Sequence, residues 1–331
     1  MLNVKFLGSL ILVLIVLGGC EEYSAEEEYQ DSLQRISIEE GMDFFFYCDA
    51  DIHQAQDIEQ YKNLLIFVHG ASLNGADHFG DAIDAINQTG LSSSTIVLAP
   101  QYEMTISRNN YYWTKYSWKD GKKSINAVPK ISSYAIFDTL IINNVLKSYN
   151  EIQTIVIAGH SAGAQFVYRY AVLSQLPDSI SQEVIYLPMN PSSVTYLGPE
   201  RWNKDKNRFE IPLNAPSCSD YDDWIYGLSN ISTNEYNRHI TTSSIKEVFP
   251  LRSLTIGTGT EDLEGQGEST NCEDLYQGLH RHERANNVFN YMKTYYPGTL
   301  HQKIDVQGVD HNRRDMINSP EIVTYLSEVF N

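Results

Sequence analysis

Six short runs of the chain are apolar at most positions, and amphipathic segments lie between them. The runs fall at residues 64–68, 95–99, 154–158, 184–187, 254–256 and 304–306. A strand with one face in water alternates apolar and polar residues, whereas an unbroken run suits a strand covered on both faces. Between the runs, apolar residues recur at three- and four-residue spacing. In residues 133–149, for example, Ile136, Leu140, Ile141, Val145 and Leu146 share one side. Further helices are predicted over 77–87, 162–173, 275–295 and 320–330. This alternation predicts an α/β fold with a mostly parallel, doubly wound sheet and helices on both faces. No repeat or linker divides it, so residues 41–331 read as one domain. Residues 191–250 break the rhythm and are rich in Ser, Thr, Asn, Asp and Tyr. An irregular insertion of that length predicts a cap or lid over the carboxyl edge of the sheet.

Composition narrows the function classes. The 331 residues carry 24 Lys+Arg against 42 Asp+Glu, a net charge of −18. That balance argues against nucleic-acid binding, which needs a basic face, and disfavours anionic substrates. The 42% hydrophobic content excludes a disordered chain. Four cysteines in this length do not make a disulfide scaffold. Cys48 ends the apolar run 44–48 and reads as a buried thiol. Cys218 and Cys272 lie in polar, loop-like segments and are candidates to pair, which spacing alone does not decide. No cysteine or histidine spacing suggests zinc.

The N-terminus has one charge, Lys5, before an apolar run from Phe6 to Leu17 that only Gly8 and Ser9 interrupt. It is too short for a comfortable membrane span and ends in Leu17-Gly18-Gly19-Cys20. This resembles the lipobox of bacterial lipoproteins. The resemblance implies a signal peptide over 1–19, cleavage before Cys20 and lipidation of its thiol. Residues 20–40 would then be a flexible acidic tether, and the protein a membrane-anchored lipoprotein of a bacterial cell envelope, outside the cytoplasm.

Gly159-His160-Ser161-Ala162-Gly163 fits the pattern G-x-S-x-G, directly after one apolar run and directly before a helical one. Strand–turn–helix is the setting this motif requires. A sharp turn there lifts the Ser161 hydroxyl above the sheet edge, and Gly159 and Gly163 allow close packing. The N–H of Ala162 opens a helix, where partial positive charge favours an oxyanion.

With that context, the chain from about residue 63 onward resembles the α/β-hydrolase serine esterases, lipases and depolymerases. The likeness includes Phe67-Val68-His69-Gly70-Ala71. In that superfamily the segment after the His-Gly pair supplies a second oxyanion N–H. Here this points to Ala71, with Ser72 as the neighbouring alternative. His69 reads as structural, because it precedes the nucleophile in chain order. Residues 224–228 and 277–281 also resemble a subgroup of secreted bacterial and fungal hydrolases, a likeness that brings no substrate with it.

The superfamily order is Ser, then acid, then His. Asp262 follows the run 254–256 through Gly257-Thr258-Gly259-Thr260-Glu261, which resembles the acid-bearing turn; adjacent Glu261 is the alternative. Among nine histidines, His311 follows a strand, stands near the C-terminus and precedes the last helix. The resemblance implies an acyl-enzyme mechanism in which His311 takes the Ser161 proton and Asp262 holds the imidazole. No metal or cofactor enters such chemistry. The expected substrate is a carboxylic ester, small or polymeric, including carbohydrate-linked ones. Tyr111, Tyr112, Trp113 and Trp118, and Trp202, Tyr221, Trp224, Tyr226 and Tyr236 in the insertion, suit either stacking on sugars or core packing. A serine peptidase, an acyltransferase or a non-catalytic surface binding protein on the same fold are the alternatives.

Overall fold

A computed structural model describes residues 24–331, apart from 40, 55–57, 107–108, 214 and 264–268. The expected signal peptide and Cys20 lie outside the described residues. The strands are β1 Leu33–Glu39, β2 Met42–Cys48, β3 Asn63–Val68, β4 Thr95–Gln101, β5 Thr154–His160, β6 Glu183–Met189, β7 Arg201–Asn203, β8 Arg208–Glu210, β9 Ser253–Gly259 and β10 Gln302–Val306. Eight of them form one sheet in the order β1-β2-β4-β3-β5-β6-β9-β10. β2 runs antiparallel to β1 and β4, and the remaining neighbours pair in parallel. β7 and β8 form a separate hairpin.

The unbroken apolar runs have a geometric cause. Leu64, Ile66 and Val68 of β3 enter one core, while Leu65 and Phe67 enter the other. Successive side chains of a strand point to opposite faces, so two covered faces demand apolar residues throughout. The main helices are α1 Gly75–Thr89, α2 Ser133–Asp138, α3 Ala162–Leu173, α4 Arg281–Tyr295, α5 Arg313–Ile317 and α6 Pro320–Val329. α1, α5 and α6 share a core on one face of the sheet, and α2, α3 and α4 share the core on the other. All twelve residues of α3 are buried. No helix of the described residues is long and apolar enough to cross a membrane.

Two boundaries differ from the sequence reading. The flexible tether expected over 20–40 is ordered where it is described: a helical turn covers Ala25–Glu28, Tyr29 packs on Phe79, and Leu33–Glu39 is the edge strand β1. Its outward residues Arg35 and Ser37 both bond Asp43 of β2, so the strand reads as polar. The helix expected over 275–295 starts at Arg281, because Gly278 sits at φ +152° and breaks it from a short helical turn, Cys272–Leu275. The insertion 191–250 is ordered around the buried Arg201, whose guanidinium lies over the rings of Tyr196 and Tyr221 and bonds four carbonyls. Cys218 within it is joined to Cys272 by a disulfide, and Cys48 is a buried free thiol.

Candidate active site

Ser161 stands between β5 and α3 with φ 59° and ψ −114°. A non-glycine residue in that region is strained by about 1–3 kcal/mol and persists only where its surroundings hold it. Here they do. The Ser161 N–H donates to Met189 of β6 and its carbonyl accepts from Gln165 of α3. A Cβ on Gly163 would stand 2.1 Å from the Val68 carbonyl oxygen, and one on Gly159 would stand 2.5 Å from the Gly163 backbone. Only hydrogen at both positions lets α3 approach β3 and β5 this closely.

Asp262 and His311 arrive from the carboxyl ends of β9 and β10. The two loops are bonded to each other: Thr260 N–H donates to Val306 O, Glu261 N–H to Val309 O, and Gly308 N–H to the Thr260 hydroxyl. Asn190, just past β6, ties both by accepting from Gly259 N–H and donating to Asp310 O. A Cβ on Gly259 would meet Val309 O at 2.2 Å, so that close approach also needs glycine.

The result is one continuous chain of polar contacts. His311 Nε2 lies 2.9 Å from Ser161 Oγ, and His311 Nδ1 lies 2.7 Å from Asp262 Oδ2. A carboxylate only accepts, so the ring proton sits on Nδ1 and Nε2 turns its lone pair to the hydroxyl. Asp262 is 1% exposed, and its second oxygen accepts from Arg281 Nη1 at 3.1 Å. Arg281 is likewise buried and donates from Nε to Ser192 Oγ. The alternative acid, Glu261, is exposed.

The loop after β3 is held by two buried imidazoles. Tyr102 N–H donates to His69 Nε2, so the His69 proton sits on Nδ1, within 2.9 Å of Gly70 O. Gly70 N–H donates to His78 Nε2, whose Nδ1 reaches Asn74 O. The Gly70 carbonyl shares its peptide plane with the Ala71 N–H, so His69 fixes the direction of that N–H. Burial lowers the His69 pKa to about 4 and that of His78 well below its ordinary value, which keeps both neutral. The loop borders the serine, since a Cβ on Gly70 would stand 3.9 Å from Ser161 Cβ. Ala162 opens α3, so its N–H has no partner within the helix.

A cavity of about 520 Å³ lies over Ser161, bounded by residues 70–72, by His78 and His160, and by residues 311–314. None of the described residues of 191–250 borders it, so the insertion as described is not the lid over this cavity that the sequence suggested. It packs laterally instead, where β7, β8 and residues 275–287 enclose a second cavity of about 410 Å³ without any of Ser161, Asp262 or His311. Tyr111, Trp113 and Trp118 are fully buried; Trp118 packs 4.6 Å from the His69 ring and supports the loop from below. His160 packs its ring 4.6 Å from that of His311. Among the described residues, the one cluster with metal-ligand spacing is Cys218, Cys272 and Glu273, whose two sulfurs are already bonded to each other.

Arg281, Ser192, Asn190 and His78 were not assigned roles from sequence. Each acts through a fold-dependent contact, and no local pattern marks it. Arg281 and Ser192, for instance, are 89 positions apart.

No protein-family model matches the chain, and no curated protein matches it in sequence. Solved structures do resemble it. Poly(aspartic acid) hydrolase-1 from Sphingomonas sp. KT-1 superposes with a TM-score of 0.62 at 19% identity, over 90% of this chain and 98% of that one. LpqC, a poly(3-hydroxybutyrate) depolymerase from Bordetella parapertussis, superposes with a TM-score of 0.58 at 15% identity, over 92% of each chain.

Proposed function

We propose that this chain, an α/β-hydrolase by fold, is a serine hydrolase that cleaves carboxylic esters through an acyl-enzyme. The observation that carries the proposal is the unbroken contact chain from Ser161 Oγ through His311 to Asp262. His311 Nε2 takes the hydroxyl proton as Oγ attacks the ester carbonyl, and Asp262 stabilises the imidazolium that forms. The N–H groups of Ala71 and Ala162 receive the oxyanion. His311 then protonates the leaving alcohol. Water, deprotonated by the same imidazole, attacks the acyl-enzyme and frees Ser161. Each residue keeps the role its geometry allows, and no other group is required.

A polymeric ester met outside the cytoplasm is the proposed natural substrate. Both neighbours are named for polymer substrates. The lipobox-like Leu17-Gly18-Gly19-Cys20 supports envelope anchoring, and the Cys218–Cys272 bridge suits an oxidising compartment. Fatty-acid labelling of the full chain in a bacterial host, lost in Cys20→Ala, tests the anchor. Hydrolysis of a graded series of chromogenic acyl esters, compared with Ser161→Ala, tests the chemistry. Turnover confined to the native chain supports the reading, and equal turnover in both defeats it.

A further inference from the structure

Net charge and local charge differ at the Ser161 cavity. The chain carries −18, yet two adjacent arginines, Arg313 and Arg314, form one wall of the cavity. Among the described residues, the only hydrocarbon side chain bordering it is the methyl group of Ala71. Such a wall offers no apolar slot for a fatty acyl chain.

The arginines are held from behind. Arg313 donates from Nε to Asp81 at 2.6 Å and pairs through Nη2 with Asp77 at 3.3 Å. Arg314 pairs through Nη2 with Asp84 at 2.8 Å, with Asp81 3.9 Å from its Nε. Asp77, Asp81 and Asp84 lie at helical spacing on α1, and none of them borders the cavity. The guanidiniums therefore stand between the cavity and the carboxylates. Each keeps its Nη1 without a protein partner among the described residues. A negative group in the cavity therefore borders the two arginines and not the carboxylates that hold them. Asp77 and Asp84 are also 33% and 46% exposed and so screened by water.

We propose that the cavity takes esters that carry a carboxylate, which Arg313 binds through Nη1 with Arg314 beside it. This inference rests on the serine-hydrolase reading and names its substrate class. Anionic esters are thus selected by a local cationic wall on an acidic protein.

The test uses matched pairs. Mono-4-nitrophenyl adipate and 4-nitrophenyl hexanoate differ by a carboxylate in the acyl part. 4-Acetoxybenzoate and its methyl ester differ by one in the leaving part. For at least one pair, the native chain is expected to favour the anionic member in kcat/KM by tenfold or more. That preference should fall to near unity in Arg313→Met, fall less in Arg314→Met, and be partly restored in Arg313→Lys. Thermal melts verify that each variant is folded, and the 66% exposed Arg314 supplies the variant least able to disturb folding. No preference in either pair, or one that survives both methionine variants, overturns the proposal while leaving the hydrolase reading intact. Absence of turnover on all four esters defeats both together.

Discussion

Arg281 donates from Nη1 to the oxygen of Asp262 that His311 leaves free, 3.1 Å away, and both side chains are buried. Removing one member of a buried ion pair strands the other, at about 3–5 kcal/mol. Arg281→Met is therefore expected to lower stability by that order in denaturant titrations. Arg281→Lys keeps the charge but not the second bond to Ser192. It should fold and lose about 10- to 100-fold in kcat with little change in KM, because misorientation of the acid acts on the chemical step. Unchanged kcat in the lysine variant removes Arg281 from the account.

Two glycines of the site should respond very differently to alanine. The methyl of Gly163→Ala meets backbone oxygens at 2.1 and 2.6 Å, which cannot rotate away. A loss of about 1–3 kcal/mol or more is expected. At Gly70 the nearest atom is 3.7 Å away, so Gly70→Ala should stay within about 0.5 kcal/mol of the native stability. Calorimetric melts of the two variants decide it.

The sequence carried much of this arrangement because each strand buried on both faces leaves an unbroken apolar run, as in 64–68 and 154–158. The elbow was visible for the same reason, since Gly159, Ser161 and Gly163 are local to one turn. β1 was missed because its outward residues are satisfied by Asp43, a partner on the next strand. The break before α4 depends on one glycine's backbone angle, and a helical pattern continues across it. The insertion's aromatics could not be sorted by sequence, because burial by Arg201 and exposure to a substrate favour the same residues.

The loop histidines give a pH dependence of known sign. His69 titrates at about 4 when folded, against about 6.5 when unfolded. Between those values the unfolded chain binds the extra proton, so stability is full above about 6.5 and is lost as the pH falls towards 4. One such group contributes a slope of up to about 1.4 kcal/mol per pH unit. Asp138, raised to about 6 mainly by burial, acts with the opposite sign over part of that range. The difference between native chain and His69→Gln isolates the histidine. Urea unfolding from pH 4 to 7 should show a shallower acid loss in the variant, and parallel curves would contradict the assignment.

The Cys218–Cys272 bridge closes a loop of 54 residues. In the chain-entropy description that is worth about 4 kcal/mol. The paired Cys218→Ser and Cys272→Ser variant should melt well below the native chain, and reductant should lower the native melt towards it. Equal melts would show that the bridge adds nothing to stability.

The central claim is that Ser161 is the nucleophile, activated by His311. Its most direct test is intact-mass analysis after treatment with a fluorophosphonate, on the native chain, Ser161→Ala and His311→Ala, each verified as folded. The account predicts one adduct on the native chain, mapped to Ser161, none on Ser161→Ala, and labelling slowed by at least a hundredfold on His311→Ala. An adduct on another residue, or none on the folded native chain, would contradict it.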